Sequence, residues 1–289
     1  MYVDMRLRPP LPSWITKQQF SNENAEGGYR PAQMGYPRPP SAVARSMDML
    51  LKEMDEAGIN WGVIMGRQTT EPNGIIPNDE IFDCVNKYPD RFVGWVGLDL
   101  SRGPAWWLEE IRRCVKFKGC KGVAIEPTNA INFTTRRADD RALYPIYEEC
   151  VRLDLPVSIT LSAIFQAKPG LRMEDSSPFQ IFQVARDFPK LQIVVAHGGW
   201  PLVAELIAVA FACRNVWISP DEYGVPEMAF AQEYVKGANL HFKDRTLFGT
   251  AYPSRPLRET VEAYKKWDWG PGVFDKVMYQ NACRLMRLD

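Results

Sequence analysis

The sequence predicts an α/β protein, a single (β/α)8 TIM barrel spanning residues 1–289, and three observations point there. Short β-rich runs alternate with longer amphipathic stretches from about residue 60 to the C-terminus, the pattern of parallel strands joined by helical crossovers. About eight such runs can be counted, enough to close a barrel, whereas an open sheet of that many parallel strands is less usual at this length. A content of 46% hydrophobic and 24% charged residues suits one large core, and 23 Pro with 20 Gly suggest turns rather than disorder.

The first strand is expected at residues 2–6. Residues 9–40 carry PPLP, Glu26-Gly27-Gly28 and PRPP, too long and too rich in Pro and Gly for a connector, and predict a long loop after strand 1 that covers the active face. Residues 41–57 read as a helix with Ser41 capping its start and Gly58 its end, its Asp48, Glu53, Asp55 and Glu56 forming a solvated face. A strand at 60–66 leads to a helix at 78–88, which Pro89 terminates. Strands follow at 91–100, 121–126, 156–162, 192–197, 215–219 and 245–250. After Pro271, apolar residues at helical spacing predict an extra C-terminal helix packed outside the barrel.

Composition narrows the function. Lys plus Arg and Asp plus Glu are 35 each, so no general field attracts nucleic acid or an anionic membrane, and neither partner is expected. No apolar run approaches the ~18 residues of a membrane span, and the first residues lack the regions of a signal peptide. The six cysteines contain no CxxC pair and read as small buried hydrophobes of a reducing cytoplasm. Only two histidines are present, so a histidine-rich metal centre of the ordinary kind cannot be assembled. The number of subunits is left open, with a homo-oligomer allowed.

In such a barrel the chemistry sits at the C-terminal strand ends. These are Arg6 and Arg8 after the first strand, Arg67 after the second, Glu126 after the fourth and Thr160 to Ser162 after the fifth. His197 follows the sixth, Asp221 the seventh, and Thr250, Tyr252 and Arg255 the eighth. Cations outnumber carboxylates there, which suits a small anionic ligand held by guanidinium forks.

The run QIVVAHGGWP (192–201) resembles the sixth-strand signature of the amidohydrolase-related family of metal-dependent barrels, and LFGTAYP (247–253) resembles its eighth-strand segment. The stretches 78–100, 117–127, 143–159 and 279–286 are similar to that family in order and spacing, so the resemblance covers nearly the whole chain. It implies a barrel whose members normally open with Asp-x-His-x-His. Here VDMRLRP (3–9) places Arg6 and Arg8 at the two histidine positions, Thr160 stands for the fifth-strand histidine, and Ala251 for the eighth-strand aspartate. A guanidinium has no lone pair for a cation. The expectation is therefore a site with neither metal nor other cofactor.

His197 is expected to act as a neutral general acid or base rather than as a structural remnant, because it ends a strand and precedes Gly198-Gly199. His241, between a helix and the last strand, reads as a surface or packing residue. Arg6 and Arg8 can either bind a substrate carboxylate or pair with Glu126 and Asp221 in the space a metal would fill. Glu126 can be an acid/base or a counter-ion of Arg6. Trp14 and Trp200 can line an aromatic pocket. The expected activity is hydrolysis of a small carboxylated compound, with Arg6 and Arg255 holding the acid, Arg8 or Thr250 stabilising an oxyanion, and His197 with Glu126 managing protons. A lyase of decarboxylase or hydratase type and a non-catalytic metabolite-binding barrel are the alternatives.

Overall fold

Alternating apolar residues along each short strand face two different cores, and this two-sidedness builds the architecture of the computed structural model, which describes residues 1–20, 36–71, 73–130, 136–161 and 172–288. The middle of the predicted inserted loop, with Glu26-Gly27-Gly28, lies outside the described residues, as does Ser162. Seven parallel strands form one sheet in chain order: β1 (Tyr2–Leu7), β2 (Ile59–Met65), β3 (Phe92–Gly97), β4 (Cys120–Ile125), β5 (Val157–Thr160), β6 (Ile193–Ala196) and β7 (Val216–Ser219). Between and after them run α1 (Pro40–Ala44), α2 (Met47–Ala57), α3 (Asn78–Lys87), α4 (Pro104–Cys114), α5 (Tyr144–Leu153), α6 (Phe179–Asp187), α7 (Val203–Ala212), α8 (Ala231–Gly237), α9 (Leu257–Lys265), α10 (Val273–Asp275) and α11 (Asn281–Met286). Among the described residues no helix is long and apolar enough to cross a membrane.

The expected eighth strand at 245–250 is not a regular ladder. It still joins the two sheet edges: Leu247 N donates to Ile218 O at 2.9 Å, and Met5 N donates to Phe248 O at 3.0 Å. Isolated bridges pair Thr246 with Ile218 and Tyr252 with Leu7. This is the eighth position of a TIM barrel, made irregular by the turn at Thr250 to Pro253 that the site uses.

Val123 and Ile125 of β4 pack in the larger core beneath the helices, while Ala124 between them belongs to a second cluster with Val3, Met5, Val63, Val93, Trp95, Val194, Trp217 and Leu247. That second cluster fills the barrel interior, and its floor is closed by Ala282, Leu285 and Met286 of α11. The C-terminal segment therefore packs across the bottom of the barrel, not on its outer layer as the sequence suggested. Trp95 Nε1 reaches Met286 Sδ at 3.4 Å, and Asn281 Nδ2 donates to Thr246 O at 2.8 Å.

The helix expected over 41–57 is two helices. Arg45, at φ 52°, ends α1 in the left-handed region, and Ser46 opens α2 by accepting the Met49 N–H at 3.3 Å; Gly58, at φ 72°, closes it. Ser41 is consequently not a cap. Its hydroxyl donates to Glu53 Oε2 at 2.5 Å and its N–H to Oε1 at 2.8 Å, which turns Glu53 inward from the solvated face expected for it.

Candidate active site

Period-two alternation continues past the apolar interior and delivers polar side chains to the upper layer of the barrel: Val63 and Met65 are followed by Arg67, Ala124 by Glu126, Ser158 by Thr160, and Trp217 by Ser219. On β1 the pairing register with β2 shifts between Asp4 and Leu7. This irregularity lets Met5 belong to the interior while the Arg6 side chain also reaches it. Strand-end composition alone cannot specify such a convergence, because it depends on this local slip.

Three guanidiniums meet at the mouth. Arg6 Nη2 lies 3.5 Å from Glu126 Oε1 and donates to Thr160 Oγ1 at 3.3 Å, and its Nε is 3.9 Å from Asp221 Oδ2. Arg67 grips the same Glu126 oxygen through Nε and Nη2, both at 2.9 Å. Arg8 Nη1 donates to the carbonyls of Ala251, at 2.7 Å, and Tyr252, at 3.3 Å. Glu126 would be pushed up by burial, but the Arg67 and Arg6 guanidiniums overcome this and hold its carboxyl below the usual range. It is a fixed counter-ion between two arginines. Burial, then Arg67 and Arg6, push Arg8 down to about 9, which leaves it charged at neutral pH.

His197 stands at the end of β6 and its backbone N–H donates to Asp221 Oδ2 at 3.1 Å. Its Nδ1 is 3.4 Å from the same oxygen, without hydrogen-bond geometry, and 4.0 Å from Glu222 Oε1. Burial first, then Arg6, Arg8 and Arg67, hold the imidazole well below its usual pKa, so it is neutral. Asp221 also accepts from Ser219 Oγ at 2.6 Å; burial pushes its carboxyl up against the opposing pull of Arg6.

Three residues at successive strand ends, His197 (φ 58°), Asp221 (φ 53°) and Ala251 (φ 56°), hold left-handed backbone without being glycine. Each such residue costs roughly 1 to 3 kcal/mol and persists only where its surroundings impose it. Here the strained turns aim the imidazole, the carboxylate and the Ala251 carbonyl at the arginines. Gly198, at φ 56°, has no room for a side chain, since an added Cβ would lie 2.6 Å from the Tyr234 hydroxyl.

Other expected site residues do different work. The Thr250 hydroxyl donates to Asp4 Oδ2 at 2.5 Å, so it is committed away from any oxyanion. The Tyr252 hydroxyl meets Ser41 Oγ at 2.8 Å and its ring packs edge-on to Phe20, so this side chain anchors the chain that follows β1 while its carbonyl holds Arg8. Arg255 is 1% exposed, donates through Nε to Glu222 O at 2.7 Å and lies 4.8 Å from the centre of the Tyr36 ring, a packing position instead of the expected reach to a ligand. Trp200 stacks on Tyr223 at 4.8 Å, and Tyr223 stands edge-on to His197 at 5.6 Å. His241 is exposed between Phe211 and Phe242.

Sequence reasoning missed Asp4 and Glu222. Asp4 is fully buried, accepts the N–H groups of Arg6 and Thr250 at 2.9 and 3.0 Å, and burial pushes it up to about 7 despite the Thr250 hydroxyl. The signal available was a carboxylate inside the first strand, two residues before Arg6. Glu222 carries a carboxyl raised by burial and opposed by Arg8 and Arg255, and only its adjacency to Asp221 could have pointed to it.

The family resemblance implies a divalent ion, and the donors do not fit one. Three guanidiniums supply no lone pair, Glu126 is engaged by two of them, and no three His, Cys, Asp or Glu residues are grouped for a metal among the described residues.

The profile of the family described as amidohydrolase matches residues 3–288. The chain is 34% identical over 243 residues to a 2-amino-3-carboxymuconate-6-semialdehyde decarboxylase of Dictyostelium discoideum, covering 73% of this chain and 66% of that protein. It is 30% identical over 135 residues to a 2-keto-4-carboxy-3-hexenedioate hydratase of a Sphingobium species, covering 42% and 39%. Both matches span under two thirds of the relatives' lengths. A solved TIM-barrel protein of Bordetella bronchiseptica, itself uncharacterized, superposes with a TM-score of 0.87 at 31% identity over 99% of this chain and 98% of that one. The relatives correct the expected hydrolysis: the two activities named among them are decarboxylation and hydration.

Proposed function

Since the chain belongs to the amidohydrolase family, and its site gathers arginines where that family's resemblance implies a cation, we propose that it is a lyase, of decarboxylase or hydratase type, acting without a metal on a small carboxylated compound. The observation that carries this reading is the imperfect pairing of Arg6. Its contacts to Glu126 and Asp221 are long, at 3.5 and 3.9 Å, and its buried Nε has no hydrogen-bond partner among the described residues. A buried unpaired guanidinium N–H is costly, and a substrate carboxylate supplies the acceptor it lacks.

In decarboxylation the electron pair of the broken C–CO2 bond stays on carbon and takes up a proton as carbon dioxide leaves; in hydration the hydroxyl of water adds to one alkene carbon and a proton to the other, negative charge developing in between toward a conjugated carboxylate. Arg6 and Arg8, fixed before the reaction, stabilise the charge as it spreads onto that carboxylate. Glu126 holds Arg6 and Arg67 in place, and His197 carries the proton at the reacting carbon, oriented by Asp221 through its backbone N–H. The His197 and Glu222 side chains, 11% and 22% exposed, are the most accessible of the site's paired charged groups, so substrate approaches from the side of β6 and β7.

The test is incubation with a panel of unsaturated and aromatic di- and tricarboxylates, followed by mass spectrometry for gain of water or loss of carbon dioxide. Turnover that survives chelation and is lost in Arg6→Met and His197→Gln is expected. Tight binding with no conversion across the panel would instead make this a metabolite-binding barrel.

A further inference from the structure

Beside Arg6 and Arg8 lies a second pair of donors that the lyase reading does not use. Trp14, on the chain leaving β1, is 1% exposed, and its indole Nε1–H has no acceptor among the described residues. Its ring lies under two cations, with the guanidinium carbon of Arg67 5.5 Å and that of Arg8 5.9 Å from the ring centre. Arg67, 6% exposed, is held by Glu126 through Nε and Nη2, and its buried Nη1 has no partner among the described residues. Two buried donors without acceptors on adjacent side chains are unusual, because each forfeits the hydrogen bond it had in water.

We propose that Trp14 and Arg67 form a second carboxylate subsite, distinct from the one at Arg6 and Arg8, so that the natural substrate is a dicarboxylate whose second acid group is read by the chain following β1. The inference rests on the proposed lyase reading and adds to it the number and placement of the substrate's acid groups. Geometry supports it. Arg6 and Arg67 share one carboxylate oxygen, Glu126 Oε1, and Arg8 donates to the carbonyls of Ala251 and Tyr252, so two substrate acid groups can each find guanidinium donors at the mouth.

Calorimetry at low salt with two matched probes, isophthalate and benzoate, tests the subsite on the whole chain. The wild type is expected to bind isophthalate at least tenfold tighter than benzoate. Trp14→Phe keeps the ring under the arginines and removes only the N–H; it is expected to weaken isophthalate by on the order of tenfold and to leave benzoate unchanged. Arg67→Gln is expected to weaken isophthalate more than benzoate, the smaller benzoate loss reporting the Glu126 oxygen that Arg67 shares with Arg6, and it covers the case of Trp14→Phe failing to fold. Equal affinities for the two acids in the wild type, or equal losses for both in each variant, overturn the second subsite while leaving the carboxylate site at Arg6 intact. Binding of neither acid to the wild type overturns the lyase reading itself and the subsite with it.

Discussion

At the residue scale, His197 is governed by its neighbours more than by its own chemistry. Burial and three arginines keep the ring neutral, which suits a base that in hydration takes a proton from water as its hydroxyl adds and then passes that proton to carbon; in decarboxylation the proton that replaces carbon dioxide has to come from solvent. With only two histidines in the chain, NMR titration can follow it directly. Its ring resonances are expected to remain those of neutral imidazole as the pH falls through 6.5, and a midpoint at or above that value would contradict the electrostatics described. The unfolded chain binds this proton near 6.5 and the folded chain does not, so the His197 contribution to stability is present above that pH and is lost below it. In catalysis, His197→Gln is expected to lower the rate by about a hundred- to ten-thousand-fold, the range for loss of a general acid or base.

At the element scale, β1 and the segment after β7 are clamped by one carboxylate. Asp4 accepts from Arg6 N, Thr250 N and the Thr250 hydroxyl, so it ties the first strand to the irregular eighth segment directly beneath the arginines. With its pKa pushed up to about 7, the favourable contribution of Asp4 is full below 3.8 and is lost as pH rises through about 7. Replacing it with Asn should remove that dependence. Asp4→Asn is expected to gain on the wild type between pH 5 and 9, by roughly 3 kcal/mol, as read from urea midpoints at each pH. A constant difference across that range would show that Asp4 stays ionised in the fold. At the other end of the barrel, Met286 of α11 closes the floor against Trp95, and Met286→Ala should cost about 2–4 kcal/mol in the same measurement. A loss below about 0.5 kcal/mol would mean that α11 does not seal the interior as described.

At the scale of the whole molecule, a chain with no net charge concentrates positive charge in one place. Arg6 and Arg8 come from β1 and the residue just beyond it and Arg67 from just beyond β2, so two neighbouring strands gather them at the mouth beside Glu126 and Asp221. An anion that binds the folded mouth and not the unfolded chain raises the melting temperature by mass action, worth about 2.7 kcal/mol at a hundred times its Kd. Isophthalate is expected to produce that shift equally before and after exhaustive chelation, and added zinc or manganese is expected to produce none. A chelation-sensitive shift would mean that the anion binds through a metal, against the donor chemistry of the site.

The eight-element rhythm and the placement of Arg6, Arg67, Glu126 and His197 at strand ends were legible in the sequence, because alternation and strand-end position are local properties that a barrel converts directly into geometry. The break at Arg45, the floor-closing course of α11, the burial of Arg255 against Tyr36 and the commitment of Thr250 to Asp4 were not legible. Each of these depends on which partner a side chain meets from a distant part of the chain. The site shows the same division: composition announced an excess of cations at the mouth, but only the packed fold decided that Glu126 would serve two of them, that His197 would be held neutral, and that Trp14 would lie beneath Arg8 and Arg67 with its N–H unpaired. A strand pattern places residues on a face, while burial and long-range pairing set their charge and their remaining hydrogen-bonding capacity.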